Sequence, residues 1–191
     1  MAPKLILTGF MATGKSVAAK ACAEILGWRL IDCDAVIVAR AGMPIAEIFR
    51  TRGEACFRKL ERDLIAELAG ERLRCPQSGR PLPAVIATGG GALVDSRNFD
   101  ALNRIGVIVC LTARPEVIAR RIGAAAASRP MLTQGGKPLD ERIAELIEAR
   151  REAYARAHLA LDTSDLTIEE TAAAIIDAFG RHGRKSWATS A

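Results

Sequence analysis

The chain has 191 residues, half of them hydrophobic, which is enough for one domain with a substantial core. Its net charge is +5, but Arg181, Arg184 and Lys185 near the C-terminus supply three of those charges, so the basic balance gives no support for a nucleic-acid partner. Its five cysteines form no C-x-x-C pair, which argues against a zinc site, and no apolar run approaches the roughly 20 residues that span a bilayer.

The first predicted elements enclose a glycine-rich loop. Residues 4–7 form an apolar run that predicts a buried parallel strand, and the Ala-rich residues 17–26 predict a helix. Between them, residues 9–16 have the spacing G-x-x-x-x-G-K-S of a phosphate-binding loop, in which backbone N–H groups and a helix N-terminus surround phosphate oxygens. Lys15 would reach the β- and γ-phosphates and the Ser16 hydroxyl would ligate Mg²⁺. The sequence therefore predicts a nucleoside triphosphate site; the alternative is a chance glycine-rich turn before a helix.

Two carboxylates stand at the end of the next predicted strand. Residues 28–32 predict that strand, and Asp32-Cys33-Asp34 lie at its carboxyl end, where ligands collect in open parallel sheets. Alternation along an extended segment would point Asp32 and Asp34 to the same side, which is costly unless a cation or a donor uses them. We expect one to serve Mg²⁺, directly or through water, and the other to accept a hydrogen bond from an acceptor hydroxyl. The alternative is one helix N-cap beside one solvated carboxylate.

Helical patterns and a polar connection follow. Residues 44–49 predict the start of a short helix with proline in its first turn, and residues 53–69 predict a long amphipathic helix. The connection over residues 71–83 carries a single cysteine, Cys75, and no metal signature. We expect it to be a surface insertion.

A run of three glycines, Gly89, Gly90 and Gly91, follows the third predicted strand at residues 84–88. Glycines let backbone donors approach a ligand closely, although a plain tight turn is the alternative. Other phosphate-loop proteins carry an acidic metal ligand at the end of this strand, and none stands here. That absence makes Asp32 the better candidate on the metal side.

The rest of the chain continues the alternation of short apolar runs and helical patterns, which indicates an α/β domain with a parallel sheet. The tail after Gly180 is expected to be disordered. Further strands are predicted at residues 107–111 and 159–162, and further helices at residues 115–122, 139–157 and 167–179, the last starting with the capping box Thr167 to Glu170.

Three arginines are candidates for binding anions. Arg58 lies on the long helix, Arg150 on the charged helix, and Arg129 in the segment 123–138, whose alanines and glycines are typical of a mobile cover. Planar guanidinium groups are preferred partners of carboxylates and phosphates, and Arg129 could stabilise a transferring phosphoryl group. The residues alone thus predict a phosphotransferase or hydrolase with an undetermined acceptor.

Together these motifs resemble the shikimate kinase family, from about Leu5 to Ile176. The phosphate loop GFMATGKS is similar to the family's G-F-M-G-[ST]-G-K-[ST], with Ala12 replacing the middle glycine. We expect this change to alter the loop's backbone slightly, since alanine resists positive φ. The other departures are Met131 and the insertion at 71–83. Five further motifs follow in order: D-x-D at Asp32 and Asp34, I-x-x-[IL]-F…G-E-x-x-F-R-x-x-E within residues 45–61, G-G-G at 89–91, R-P-L-L at 129–132, and R-x-x-x-Y at 150–154.

The resemblance implies a P-loop NTPase fold of the nucleoside-monophosphate-kinase type, with three α/β/α layers, a five-stranded parallel sheet and a mobile lid. One kinase domain would occupy residues 1–180. Its substrate-binding helical region would lie at about 33–62 and its lid at about 124–137, and residues 181–191 would form a disordered basic tail.

The implied activity is transfer of the γ-phosphate of ATP to the 3-hydroxyl of shikimate, with Mg²⁺ held by Ser16 and Asp32. Lys15, Asp34 and Arg129 would be catalytic. Arg121 would stack near adenine, although Arg120 is adjacent. The nucleotide-binding set would be Ala12, Thr13, Gly14, Lys15, Ser16, Val17, Arg121 and Arg129. The shikimate-binding set would be Asp34, Arg58, Gly89, Gly90, Gly91 and Arg150.

Two alternatives remain open at this point. A gluconate kinase, or another small-metabolite kinase, would share the phosphate loop and the lid but would not need Arg58 and Arg150 together with the glycine triplet. A non-catalytic nucleotide-binding regulatory module would bind ATP without turnover. In each case we expect a monomer that binds neither nucleic acid nor membranes. We expect it in the cytoplasm, since the odd cysteine count and the early first strand suggest a reducing compartment.

Overall fold

A sheet of five parallel strands runs through the structure, a computed structural model that describes residues 3–70, 79–123, 132 and 137–188, the side chains of 183–188 excepted. The strand order is β2-β3-β1-β4-β5. This confirms the predicted five-stranded parallel sheet. The strands are β1 Lys4–Gly9, β2 Arg29–Asp32, β3 Ala84–Ala87, β4 Val107–Thr112 and β5 Leu159–Asp162.

Helices cover both faces of the sheet and make three layers. Their bounds are α1 Lys15–Leu26, α2 Cys33–Ala41, α3 Ile45–Ala69, α4 Ser96–Asn103, α5 Pro115–Ile122, α6 Leu139–Glu148, α7 Arg151–Ala155 and α8 Ile168–Ala188, with a 3₁₀ turn at Ala92–Val94.

The central strand β1 is buried along its whole length, as expected of a parallel strand covered on both faces. Successive side chains point to opposite layers. Ile6 packs with α2, α3 and α4, whereas Leu5 and Leu7 pack with α1 and α8. This central position carries the loop after β1 to the carboxyl edge of the sheet, between its neighbours β3 and β4.

The predicted short helix and the predicted long helix are both present, and they form one run, α3, with a kink between them. Gly53 has φ 79° and ψ 166° inside the run Ile45–Ala69, a conformation that favours glycine. Of the predicted apolar stripe, Phe57, Leu64 and Leu68 are buried. The kink lets the helix change direction directly before the turn that carries Arg58.

Local patterns did not predict helix α2, because its sequence CDAVIVARA contains the β-branched run Val36 to Val38, although the resemblance implied a helical region from about residue 33. Asp32 caps it: its carboxylate accepts a hydrogen bond from the Ala35 N–H at 3.1 Å. Ile37 is then fully buried against the sheet. Capping and burial together outweigh the weak local propensity.

The charged helix predicted over residues 139–157 is two helices. Helix α6 ends at Glu148, and Arg150 has the non-helical pair φ −113°, ψ 5° before α7 begins. Helix α8 begins with the predicted capping box, in which Thr167 accepts from the Glu170 N–H and Glu170 accepts from the Thr167 N–H. Helix α8 extends to Ala188, past its predicted end at residue 179, and the disorder expected of the tail stays a prediction. Residues 189–191 lie outside the described residues.

None of the helices described is both long enough and apolar enough to span a bilayer.

Candidate active site

A cavity of about 550 Å³ opens at the carboxyl ends of the strands, where the phosphate loop meets the loop after β3. It brings together most of the residues that the sequence analysis selected. Its lining includes Ala12, Gly14, Lys15, Ser16, Val17, Asp34, Arg58, Gly89, Gly90, Gly91 and Arg150. Sequence analysis did not anticipate its apolar wall, which is formed by Met11, Ile45, Ala46, Phe49 and Phe57.

The phosphate loop is held by its own backbone and by close packing on β4. A Cβ atom at Gly9 would collide with the Leu111 carbonyl group, so only glycine fits there. Thr13 lies on the loop with its side chain buried, donating to the Phe10 carbonyl at 2.8 Å. Lys15 donates to the same carbonyl at 2.8 Å. The loop thus keeps a compact shape in which the Lys15 ammonium is already on its inner side.

Ala12 adopts the left-handed backbone conformation, with φ 59°. It is the only non-glycine residue with positive φ in the part of the chain that the structure describes. Sequence analysis noted that alanine resists this conformation, and the structure shows that Ala12 takes it nonetheless. For a residue with a Cβ atom, this conformation is roughly 1–2 kcal/mol less favourable than it is for glycine.

We expect Ala12→Gly to raise the free energy of unfolding by about 0.5–1 kcal/mol, because the relieved strain exceeds the entropy that glycine adds to the unfolded chain. Thermal unfolding should show a Tm higher by about 1–4 °C. Ala66→Gly is the matched control, since Ala66 is exposed within the regular part of α3. The free energy of unfolding of that variant should fall by about 1 kcal/mol. An equal decrease in the free energy of unfolding in both variants would contradict strain at Ala12.

The two carboxylates after β2 do not point the same way from an extended segment, so that expectation is wrong. Asp32 ends the strand and caps α2, while Asp34 already lies in the first turn of that helix. Asp34 lines the cavity and its Oδ1 atom is buried with no hydrogen bond from the described residues. Burial raises the pKa of the Asp34 carboxyl above its ordinary value, an effect that the Lys15 charge only partly offsets.

Arg58 is positioned by two carboxylates of its own helix. It donates to Glu54 at 3.2 Å and to Glu61 at 2.8 Å, residues that lie four positions before it and three after it. Glu61 is only 1% exposed, and its Oε1 atom accepts no hydrogen bond from the described residues. Burial raises the pKa of Glu61, and the charge of Arg58 opposes the shift. Sequence analysis gave Glu61 no role, although its spacing from Arg58 was the available signal.

The glycine triplet lets three polar side chains meet against the backbone. A Cβ atom at Gly89 would lie 2.5 Å from Glu61 Oε1 and 3.0 Å from Asp34 Oδ1. One at Gly91 would lie 2.7 Å from the Arg58 guanidinium. The plain tight turn is therefore not a sufficient account of these glycines, since larger side chains would displace the charged groups.

Arg150 and Tyr154 contact the middle residue of the triplet. Arg150 lies over the Phe10 ring, 5.5 Å from its centroid, and donates to the Gly90 carbonyl at 3.4 Å. The Tyr154 hydroxyl donates to the same carbonyl at 2.6 Å. Sequence analysis quoted Tyr154 within a motif but assigned it nothing; only the fold shows what it contacts.

Arg121 lies beside the phosphate loop and outside the cavity lining. Its guanidinium donates to the Thr163 carbonyl at 2.6 Å, to the Thr163 hydroxyl at 3.1 Å and to the Ala12 carbonyl at 3.4 Å. The buried Thr163 hydroxyl in turn lies 3.0 Å from the Thr13 carbonyl. Arg121 is thus tied to the loop and to the segment after β5. Arg129 and almost all of the predicted lid lie outside the described residues.

The donor set fits Mg²⁺ bound together with phosphate oxygens. Among the residues described, no group of three or more His, Cys, Asp or Glu side chains could hold a metal by itself. Mg²⁺ rarely needs such a cage, because it keeps several waters and is commonly bound by one or two protein oxygens plus phosphates. The Ser16 hydroxyl lines the cavity, and the Asp32 carboxylate uses one of its two oxygens for the helix cap.

Comparisons with known proteins agree on one family. The family model described as shikimate kinase matches residues 11–179. A shikimate kinase of Geobacter sulfurreducens is 45% identical over 166 residues, which are 87% of this chain and 84% of the relative. A shikimate kinase of Caldanaerobacter subterraneus subspecies tengcongensis is 42% identical over 92% of this chain and 95% of its own.

A solved structure is also similar over nearly the whole length. The shikimate kinase from Acinetobacter baumannii in complex with shikimate has a TM-score of 0.81 and 26% sequence identity, covering 95% of each chain. The three-layer fold with its parallel sheet is thereby that of this group of P-loop kinases.

Proposed function

This chain belongs to the shikimate kinase family, and we propose on that basis how its residues transfer the γ-phosphate of ATP to the 3-hydroxyl of shikimate. The products are shikimate 3-phosphate and ADP. One observation carries the proposal: a single cavity contains Lys15 of the phosphate loop together with Asp34, Arg58 and Arg150. An anion cradle and a site for a small hydroxy acid therefore adjoin each other.

The nucleotide binds on the phosphate-loop side. Backbone N–H groups of residues 12–17 and the N-terminus of α1 surround the phosphates, and Lys15 exchanges its bond to Phe10 for the β- and γ-phosphates. Arg121, anchored by Thr163, borders the adenine side. Arg129 would approach the transferring group from the lid.

The acceptor binds on the opposite side of the cavity. The guanidinium groups of Arg58 and Arg150 bind its carboxylate, because planar forks match carboxylate geometry. Phe49 and Phe57 supply apolar surface for the ring carbons. Glycines 89–91 admit the ring close to the backbone, where Asp34 can accept a hydrogen bond from the 3-hydroxyl.

Catalysis then depends mainly on positioning and on charge neutralisation. Phosphoryl transfer passes through a loose transition state, so the attacking alcohol need not lose its proton early. Asp34 orients the hydroxyl and takes its proton as the bond to phosphorus forms. Lys15 stabilises the charge on the phosphoryl oxygens. Mg²⁺, which Ser16 would hold directly and Asp32 through water, neutralises phosphate charge when bound. We further expect a cytoplasmic monomer.

An ADP-release assay with purified enzyme, ATP and Mg²⁺ tests the proposal. Parallel reactions contain shikimate, gluconate or no acceptor. We expect ADP release with shikimate at a rate typical of kinases, on the order of 1–100 s⁻¹. That rate should be at least about 100-fold above the rates with gluconate and without acceptor. Turnover with gluconate alone would establish the alternative kinase, and ATP binding without turnover would establish the regulatory module.

A further inference from the structure

The carbonyl group of Gly90 has two side-chain donors. Tyr154 Oη lies 2.6 Å from it and Arg150 Nη1 lies 3.4 Å from it. Tyr154 is only 9% exposed and packs among apolar residues around Phe10, so its hydroxyl is the polar end of an otherwise apolar contact. The shorter of the two bonds belongs to the residue for which the proposed reaction has no role.

The break between α6 and α7 brings both donors to one point. Arg150 leaves the helical conformation, and the Tyr154 N–H then bonds to the Arg150 carbonyl at 3.0 Å, which starts the next helical turn. The side chains of Arg150 and Tyr154 then both reach the Gly90 carbonyl.

The other side of Gly90 faces the phosphate loop. A Cβ atom there would lie 3.2 Å from the Gly9 carbonyl oxygen and 3.4 Å from the Met11 nitrogen. The Gly90 peptide is therefore enclosed between the loop that binds ATP and the side chain of Tyr154. Its position sets how far the acceptor pocket lies from the phosphates.

We propose that Tyr154 is a positioning residue for the acceptor, which holds the glycine triplet and Arg150 in register with the phosphate loop. In a trans peptide the N–H of Gly91 points opposite to the Gly90 carbonyl, so fixing that carbonyl fixes the donor as well. The inference rests on the proposed function, because the acceptor of this pocket is taken to be shikimate. Burial raises the pKa of Tyr154, so its hydroxyl stays protonated and can donate throughout the neutral range.

The test is Tyr154→Phe, which removes the hydroxyl and keeps the apolar ring. We expect the KM for shikimate to rise about tenfold, the loss that one buried hydrogen bond accounts for, with the KM for ATP within about twofold of the wild type. Thr171→Val is the matched control, since the Thr171 hydroxyl donates to a carbonyl at 2.7 Å within α8, away from the cavity. It should lower Tm and leave both KM values unchanged.

The possible outcomes distinguish this inference from the proposed function. An unchanged KM for shikimate in Tyr154→Phe, beside an active wild type, would overturn the inference alone and reduce the hydroxyl to a structural role. Equal increases in both KM values would overturn it too, because general loosening predicts them. A wild type that released no ADP with shikimate would overturn the proposed function and this inference together.

Discussion

Replacing Asp34 by asparagine should lower kcat by about 10²- to 10³-fold, the range of a group that orients and accepts a proton in the transition state. Asparagine keeps the shape of the side chain but cannot take the proton of the 3-hydroxyl. Asp34 lies in the first turn of α2 and does not belong to the phosphate loop. The KM for ATP should therefore stay within about twofold, as steady-state kinetics with each substrate varied in turn would show.

Loss of folding would not explain this result. Burial raises the pKa of Asp34 above its ordinary 3.8, so at neutral pH the ionised carboxylate costs the folded state free energy. A carboxyl whose pKa is raised by folding destabilises the folded state above that pKa. The neutral asparagine removes the penalty, and Tm should equal or exceed that of the wild type.

The same shift gives the acid limb of the wild-type pH profile. Since the carboxylate is the active form, kcat should fall as the pH drops through the raised pKa of Asp34. Asp63→Asn is the matched control, because Asp63 is exposed and pairs with Lys59 away from the cavity. It should leave kcat and the pH profile unchanged. Wild-type turnover in Asp34→Asn would remove Asp34 from the mechanism.

The strands and the phosphate loop could be predicted because their signals are local. A buried parallel strand is a short continuous apolar run, and β1 and β4 have no competing pattern. Gly9 and Gly14 stand at fixed spacing within a strand–loop–helix unit. Here the local sequence and the tertiary structure favour the same result.

The missed features depend on contacts between distant residues. The β-branched run in α2 favours strand locally. The Asp32 cap is a local signal that was considered only as an alternative, and the burial of Ile37 is the contact with distant residues that favours helix. The break at Arg150 has no proline or glycine to mark it. Arg150 at the break and Tyr154 after it both contact Gly90, 60 or more residues earlier in the chain.

The candidate site divides in the same way. The residue types that bind phosphate and carboxylate could be named from motifs, and the structure places Lys15, Asp34 and Arg58 around one cavity. Sequence analysis did not name the residues that hold these side chains in place. The Arg58–Glu61 contact follows from a spacing of three on one helix, but the approach of Glu61 to Gly89, 28 residues later, is encoded by no spacing.

The second large effect is expected from Gly89→Ala. The added methyl group would lie 2.5 Å from Glu61 Oε1 and 3.0 Å from Asp34 Oδ1, so at least one carboxylate must move. Glu61 holds Arg58, and Asp34 faces the acceptor hydroxyl in the proposed mechanism. We expect kcat/KM for shikimate to fall about 100-fold or more, since small misplacements of reacting groups cost about that much.

The backbone itself gives no reason for this loss, because Gly89 is not among the glycines with positive φ. Gly70→Ala is the matched control: Gly70 has φ −75° at the end of α3, and the nearest atom to an added Cβ is 3.4 Å away. That variant should keep wild-type kinetics. ATP binding, measured by the Tm increase with ATP and Mg²⁺, should survive in both variants, because neither methyl group reaches the phosphate loop. Equal kcat/KM values for shikimate in the two variants would contradict a crowded carboxylate pair at Gly89, and loss of ATP binding in Gly89→Ala alone would place the damage in the loop instead.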